Sequence, residues 1–135
     1  EAIAGNLSWK QIVEEVLRFE SPAQATMRIA TEDTDIAGIS ICAGDGVVAG
    51  IAAANRDPAV FENPDNFNPQ RKPNRHLAFG VGSHTCPAAM LGREEIRVGL
   101  STLFERYPDL RVECTPSWTA RHNFRTVVKL PVTLW

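Results

Sequence analysis

Residues 55–78 limit the fold of this chain more than any other stretch. Pro58, Pro64, Pro69 and Pro73 recur through it among Asn and Asp residues, so neither a helix nor a central strand can run its length. A segment this long without a regular element is uncommon in a compact domain and marks either function or disorder. Phe61, Phe67 and Leu77 are spaced along it and would tack it to a core, so an ordered, winding loop is expected. Helix and strand must therefore be built on either side of it.

Upstream, Ser8-Trp9-Lys10-Gln11 fits a capping box, and Trp9, Ile12, Val13, Val16 and Leu17 follow at helical spacing. Ser21-Pro22 should end that helix. Positions 26–30 and 35–41 read as short strands, with Gly38 and Ala43-Gly44-Asp45-Gly46 as turns. Downstream, a helix is expected from about position 87 to 107, with Pro87 at its first position and an apolar face of Ile96, Leu100, Leu103, Phe104 and Tyr107. Strands are expected at 110–113 and 127–134. The fold class is α+β.

Composition narrows the function. The chain has 135 residues, a formal net charge of −2 and 44% hydrophobic residues, which suits one domain with one core. Such a balance argues against nucleic acid or an anionic membrane as partner. No apolar run is long enough for a membrane helix, and no basic-then-apolar leader opens the chain. Cys42, Cys86 and Cys114 are odd in number and far apart, which is no disulfide framework, so a cytoplasmic setting is expected. The first residue is Glu1 rather than Met, and the chain is expected to be a piece of something longer.

The chemistry concentrates in Phe79-Gly80-Val81-Gly82-Ser83-His84-Thr85-Cys86-Pro87-Ala88-Ala89-Met90-Leu91-Gly92-Arg93. A glycine-punctuated turn places a cysteine just before a helix, where free N–H groups and the helix dipole favour a thiolate. That is a natural thiolate site for a metal. Cys86 alone would read as a buried, inert thiol. Gly80 and Gly82 lack the third glycine of a dinucleotide loop, and no second Cys/His pair completes a zinc site. His84 is poorly placed as the base of a thiol hydrolase.

The whole stretch resembles the haem-binding loop of the haem-thiolate monooxygenases, the cytochromes P-450, with the pattern Phe-Gly-x-Gly-x-His-x-Cys-x-Gly-x-x-Leu-Ala-Arg. Phe79, Gly80, Gly82, His84, Cys86, Leu91 and Arg93 match. Ala88 stands where the pattern has glycine, and Gly92 where it has alanine. Pro87 offers the thiolate no N–H. Two further matches follow in family order: Glu15-Val16-Leu17-Arg18 fits Glu-x-x-Arg, and the winding segment resembles the family's meander.

The resemblance implies the C-terminal part of the cytochrome P-450 fold over residues 1–135, without the N-terminal portion that carries the distal, oxygen-activating helix. It implies haem b ligated by Cys86, with Arg28 and His84 on the propionates and Phe79, Gly80 and Ala88 lining the cofactor. Arg71 would complete a network with Glu15 and Arg18; on its own, Glu15–Arg18 reads as a solvated surface pair. Gln24, Ala25 and Thr26, with the hairpin tip from Thr119 to Phe124, would face substrate. The parent would insert one oxygen atom of O₂ into a small apolar organic substrate. Electrons would come from a ferredoxin or flavin-type donor docking near Arg71, Lys72, Arg75 and Arg93. The alternatives are a stand-alone haem-binding or haem-sensing module and a non-catalytic remnant.

Overall fold

The computed structural model describes residues 7–119, 121 and 123–134. Helix α1 (Trp9–Phe19) begins at the expected capping box. Gln11 N–H donates to Ser8 Oγ at 3.3 Å, and Ser8 N–H donates to Gln11 Oε1 at 3.0 Å. The helix closes as Ser21 Oγ donates to the Leu17 carbonyl at 2.7 Å, one residue before Pro22. It buries Ile12, Val13 and Leu17 together with Glu15 and Arg18.

Strand β1 (Thr26–Ile29) pairs antiparallel with β4 (Gly46–Ala49), with Thr26 opposite Ala49. Between them the expected strand at 35–41 is split into β2 (Thr34–Ile36) and β3 (Ile39–Ile41), which form a hairpin. The turn residues Ala37 and Gly38 have φ of 53° and 83°. Two left-handed residues match the twist of tightly paired strands, so the run folds back instead of continuing. The short helix α2 (Ile51–Ala54) follows β4; neither had a distinct signal in the glycine- and alanine-rich run that holds them.

The winding segment carries no helix or strand, as expected, and side chains satisfy its backbone. Asn55 is fully buried: its Nδ2 donates to Ser21 Oγ at 2.6 Å and its Oδ1 accepts from Leu77 N–H at 2.7 Å. Phe61 is buried, while Phe67 stays exposed and touches Phe19 edge-on, with centroids 5.6 Å apart. Arg56 lies 3.8 Å over the Phe19 ring and donates to that residue's carbonyl at 2.7 Å.

Helix α3 (Ala89–Arg106) packs on α1, with Trp9 and Phe104 ring centroids 5.8 Å apart. It starts later than expected. Ala88 is the N-cap, so Pro87 lies outside the helix, and residues 86–88 form a turn closed by Ala89 N–H to the Cys86 carbonyl at 3.1 Å. Of the expected apolar face, Leu103 is exposed and the other four are half-buried.

The tail holds four short strands rather than two. Strand β5 (Arg111–Val112) pairs with β8 (Val132–Thr133), and β6 (Ser117–Trp118) pairs with β7 (Val127–Lys129). Pro131 supplies no N–H to a ladder, so it divides the 127–134 run and lets each half take its own partner.

The core is smaller than the chain length leads one to expect. Among the described residues the buried apolar set is Ile12, Val13, Leu17, Phe61 and Ala89, all on α1, the winding segment and the start of α3. The accessible surface is 9898 Å², where a compact monomer of this mass would expose about 7,000 Å². Among the described residues each sheet has two strands, and no other helix or strand packs extensively on one.

Candidate functional site

Glu15 and Arg18 are fully buried, which overturns the solvated-pair reading of this i, i+3 pair. Arg18 donates to both carboxylate oxygens, Nε to Oε2 at 2.9 Å and Nη2 to Oε1 at 2.7 Å. Its Nη1 also reaches the carbonyls of Asn55 and Pro64, each at 2.9 Å. Arg71 Nε sits 3.4 Å from Glu15 and donates through Nη1 to the Glu62 carbonyl at 2.6 Å. Asn68 N–H and Asn74 Nδ2 complete the ring of donors around Glu15, at 2.8 and 3.1 Å. Burial alone would raise the Glu15 carboxyl; the bonds from Arg18 and Asn68 and the charges of Arg18 and Arg71 outweigh it and hold the group below its ordinary value.

This network fastens the winding segment to α1, and the segment delivers the cysteine loop. Asn55 holds Leu77 N–H; Gly80 N–H then donates to the Leu77 carbonyl at 2.9 Å, and Cys86 N–H to the Phe79 carbonyl at 2.8 Å. Gly80 and Gly82 both have left-handed φ, 74° and 69°. A Cβ on Gly80 would lie 3.0 Å from the His84 carbonyl oxygen, a tight contact that would make the backbone there give by a few tenths of an ångström; at Gly82 a Cβ would meet nothing within 4 Å. Residues 82–84 form a single 3₁₀ turn. Cys86 is half-exposed and unpaired, and Ala88 and His84 are exposed.

The remaining expected residues fall into two groups. Gln24, Ala25 and Thr26 lie in the turn after α1 and at the start of β1, all half-buried. The hairpin tip is stitched to that turn by Gln24 N–H to the Asn123 carbonyl at 2.9 Å, Arg125 N–H to the Pro22 carbonyl at 2.8 Å, and a bridge between Ala23 and Phe124. Phe124 is half exposed; Ala120 and His122 of the expected tip lie outside the described residues. Arg28, on β1, donates only to its neighbours Thr26 Oγ1 and Met27 O, each at 2.8 Å, and no contact joins it to the cysteine loop among the described residues.

Arg93 also departs from expectation, and Glu14, His76 and Asn55 join the site without a clear signal in the sequence. Arg93 is not a free surface cation: its Nε and Nη2 donate to Glu14 at 2.7 and 3.2 Å. Glu14 Oε2 also takes a bond from His76 Nε2 at 3.0 Å, and the His76 side chain is 98% buried at 2% exposure. Burial alone would raise the Glu14 carboxyl, but the Arg93 and His76 bonds bring it below its ordinary value. Burial likewise lowers His76, with Glu14 opposing only in part. Glu14, His76 and the hub Asn55 gave one faint signal in the sequence, the doubled Glu14-Glu15, whose side chains must leave α1 in different directions.

The family described as Cytochrome P-450 matches residues 9–131. The biotin biosynthesis cytochrome P-450 of Bacillus subtilis is 46% identical over 123 residues, covering 90% of this chain and 31% of that protein. Nocardicin C N-oxygenase of Nocardia uniformis is 44% identical over 126 residues, covering 90% of this chain and 32% of that protein. The crystal structure of P-450 BioI in complex with an acyl carrier protein ligated by hexadec-9Z-enoic acid superposes with a TM-score of 0.91 at 43% identity, covering 94% of this chain and 33% of that one. The chain thus spans about a third of the length of the curated relatives it matches. A family match from the first turn of α1 to Pro131, spanning both the buried Glu15–Arg18 pair and the cysteine loop, makes this chain a member of the cytochrome P-450 family.

Proposed function

We propose that this chain is the haem-ligating C-terminal portion of a longer haem-thiolate monooxygenase acting on a small apolar organic substrate. The observation that carries this reading is the cysteine loop, in which the Cys86 amide is tied to the Phe79 carbonyl at 2.8 Å and Gly80 holds a left-handed backbone closely against the His84 carbonyl. The residues present fit a haem. Cys86 is a half-exposed free thiol, and no cluster of three His, Cys, Asp or Glu that could hold a metal ion exists among the described residues. A single cysteine thiolate would be enough to tie the iron of such a cofactor to the protein.

Cys86 would ligate the iron, and haem b is the form this family reading favours. Arg28 and His84 would hold its propionates; Arg28 has no carboxylate partner among the described residues, so its charge is available. Phe79, Gly80 and Ala88 would line its face. When bound, a thiolate-ligated haem supplies the electron donation that favours O–O bond cleavage. Glu15, Arg18 and Arg71 do no chemistry in this reading; they hold the segment that presents the loop.

Gln24, Ala25, Thr26 and Phe124 would face substrate as one surface, because backbone bonds join the turn to the hairpin tip. With Arg93 paired to Glu14 and Arg71 to Glu15, exposed Lys72 and Arg75 remain to steer a ferredoxin or flavin-type donor. No described helix is long and apolar enough to cross a membrane. The missing N-terminal portion would cover the apolar residues left open here, among them Met27, Ile29, Met90 and Leu91.

The reduced, CO-bound spectrum of the full-length protein tests the reading. A thiolate-ligated band should be present, survive Cys42→Ser and Cys114→Ser, and vanish in Cys86→Ser. Its absence from the wild type, or its survival in Cys86→Ser, overturns the assignment. A thiolate band without product formation in the presence of an electron donor would favour the haem-sensing alternative.

A further inference from the structure

Glu14 and Glu15 are consecutive on α1, so their side chains leave the helix about 100° apart. Glu15 serves the winding segment. Both side-chain partners of Glu14 flank the cysteine loop: His76 lies three residues before Phe79, and Arg93 seven after Cys86. His76 Nδ1 accepts from Ala78 N–H at 3.3 Å, which leaves its proton on Nε2 for Glu14. One carboxylate therefore joins α1, α3 and the strand of chain that enters the loop. An exposed ion pair would be worth little, but here the imidazole is buried and the guanidinium binds through two nitrogens.

The cluster reaches the thiol through Phe79. The Arg93 guanidinium carbon lies 4.7 Å from the centroid of the Phe79 ring. A Cβ on Gly92 would lie 3.4 Å from the same ring, so the ring rests against the α3 backbone and under the guanidinium. The Phe79 carbonyl in turn holds Cys86 N–H. We propose that Glu14, His76 and Arg93 are positioning residues for the Cys86 thiolate, acting through the ring and carbonyl of Phe79. The proposal rests on the haem-thiolate reading and adds to it a second polar clamp, distinct from Glu15, Arg18 and Arg71.

The test uses the full-length, haem-loaded protein and five variants: Glu14→Gln, Arg93→Lys, His76→Leu, His76→Gln and, as a control, Glu94→Gln. In reduced, CO-bound samples the ratio of thiolate-ligated to thiol-ligated haem is read beside the thermal midpoint. Losing a charge-assisted bond should lower that ratio about tenfold in Glu14→Gln and His76→Leu. His76→Gln keeps a donor toward Glu14 and should recover most of it, while Glu94→Gln, exposed on α3, should leave it unchanged. Arg93→Lys keeps the charge but loses the two-nitrogen grip, and it gives a second reading should Glu14→Gln not fold. An unchanged ratio in variants that retain haem, with or without a lower midpoint, overturns the clamp alone. A wild type without a thiolate band overturns the haem reading and the clamp with it.

Discussion

Gly80 and Gly82 share a left-handed backbone yet differ in what surrounds them. Alanine at either position costs about 1–2 kcal/mol in backbone strain. At Gly80 the added Cβ also comes to 3.0 Å from the His84 carbonyl oxygen, a backbone atom that moves less readily than the end of a side chain. Gly80→Ala should therefore lower haem retention and the thermal midpoint clearly more than Gly82→Ala, and equal losses would mean that the close approach is unimportant. At Glu15 the stakes are higher. Its carboxylate is fully buried under donors from Arg18, Arg71, Asn68 and Asn74. Glu15→Ala leaves the Arg18 charge buried and unpaired, a loss of roughly 3–5 kcal/mol. Denaturant unfolding of the full-length variant should show a drop of that size, with haem content falling alongside; a loss under about 1 kcal/mol, as for a surface pair, would contradict the network.

Helix α3 carries Gly92 and Gly99 within its span, and each weakens a helix by roughly 0.5–1 kcal/mol relative to alanine. At Gly99 a Cβ meets nothing within 4 Å, so Gly99→Ala should gain that propensity alone. At Gly92 the Cβ would reach the Phe79 ring at 3.4 and 3.5 Å, ordinary packing distance, so Gly92→Ala should gain the propensity and also confine the ring. Thermal unfolding checks both. A lowered midpoint for Gly92→Ala would mean that the ring has no room to give. The late start of α3 belongs to this scale too: Ala88 offers no side-chain cap, and the first turn is entered through the Cys86–Ala89 turn instead.

Acid sensitivity is a property of the whole molecule, because His76 and the two glutamates tie its parts together. Burial holds His76 below its ordinary value of 6.5, so the unfolded chain takes up a proton before the folded one does. That contribution is complete above about pH 6.5 and is lost as pH falls toward the folded value, at no more than about 1.4 kcal/mol per pH unit. Glu14 and Glu15 lie below their ordinary 4.5, so their contribution is present above that pH and lost as pH falls through their folded values. The wild type should accordingly lose stability as pH falls below about 6.5, while His76→Gln changes less over the same range. Parallel pH profiles would refute a buried neutral imidazole.

By itself the sequence determined the features that depend on near neighbours. Ser8 and Gln11 set the start of α1, Ser21-Pro22 its end, and the prolines of 55–78 kept that segment free of helix and strand. The cysteine loop was legible because its glycines, histidine and cysteine act at fixed short spacing. Only the tertiary structure decided what becomes of charge. From the sequence, the family resemblance implies that Arg71 pairs with Glu15 while Arg93 reads as a surface cation, and Glu14 and Glu15 are adjacent and identical. Their roles diverge because the fold brings Arg71, from the winding segment, to one carboxylate and Arg93, from α3, to the other. Burial likewise turned an i, i+3 pair into the anchor of the chain, since the chain that removes water from Glu15 and Arg18 comes from residues roughly forty to sixty positions away, well beyond the reach of a local pattern.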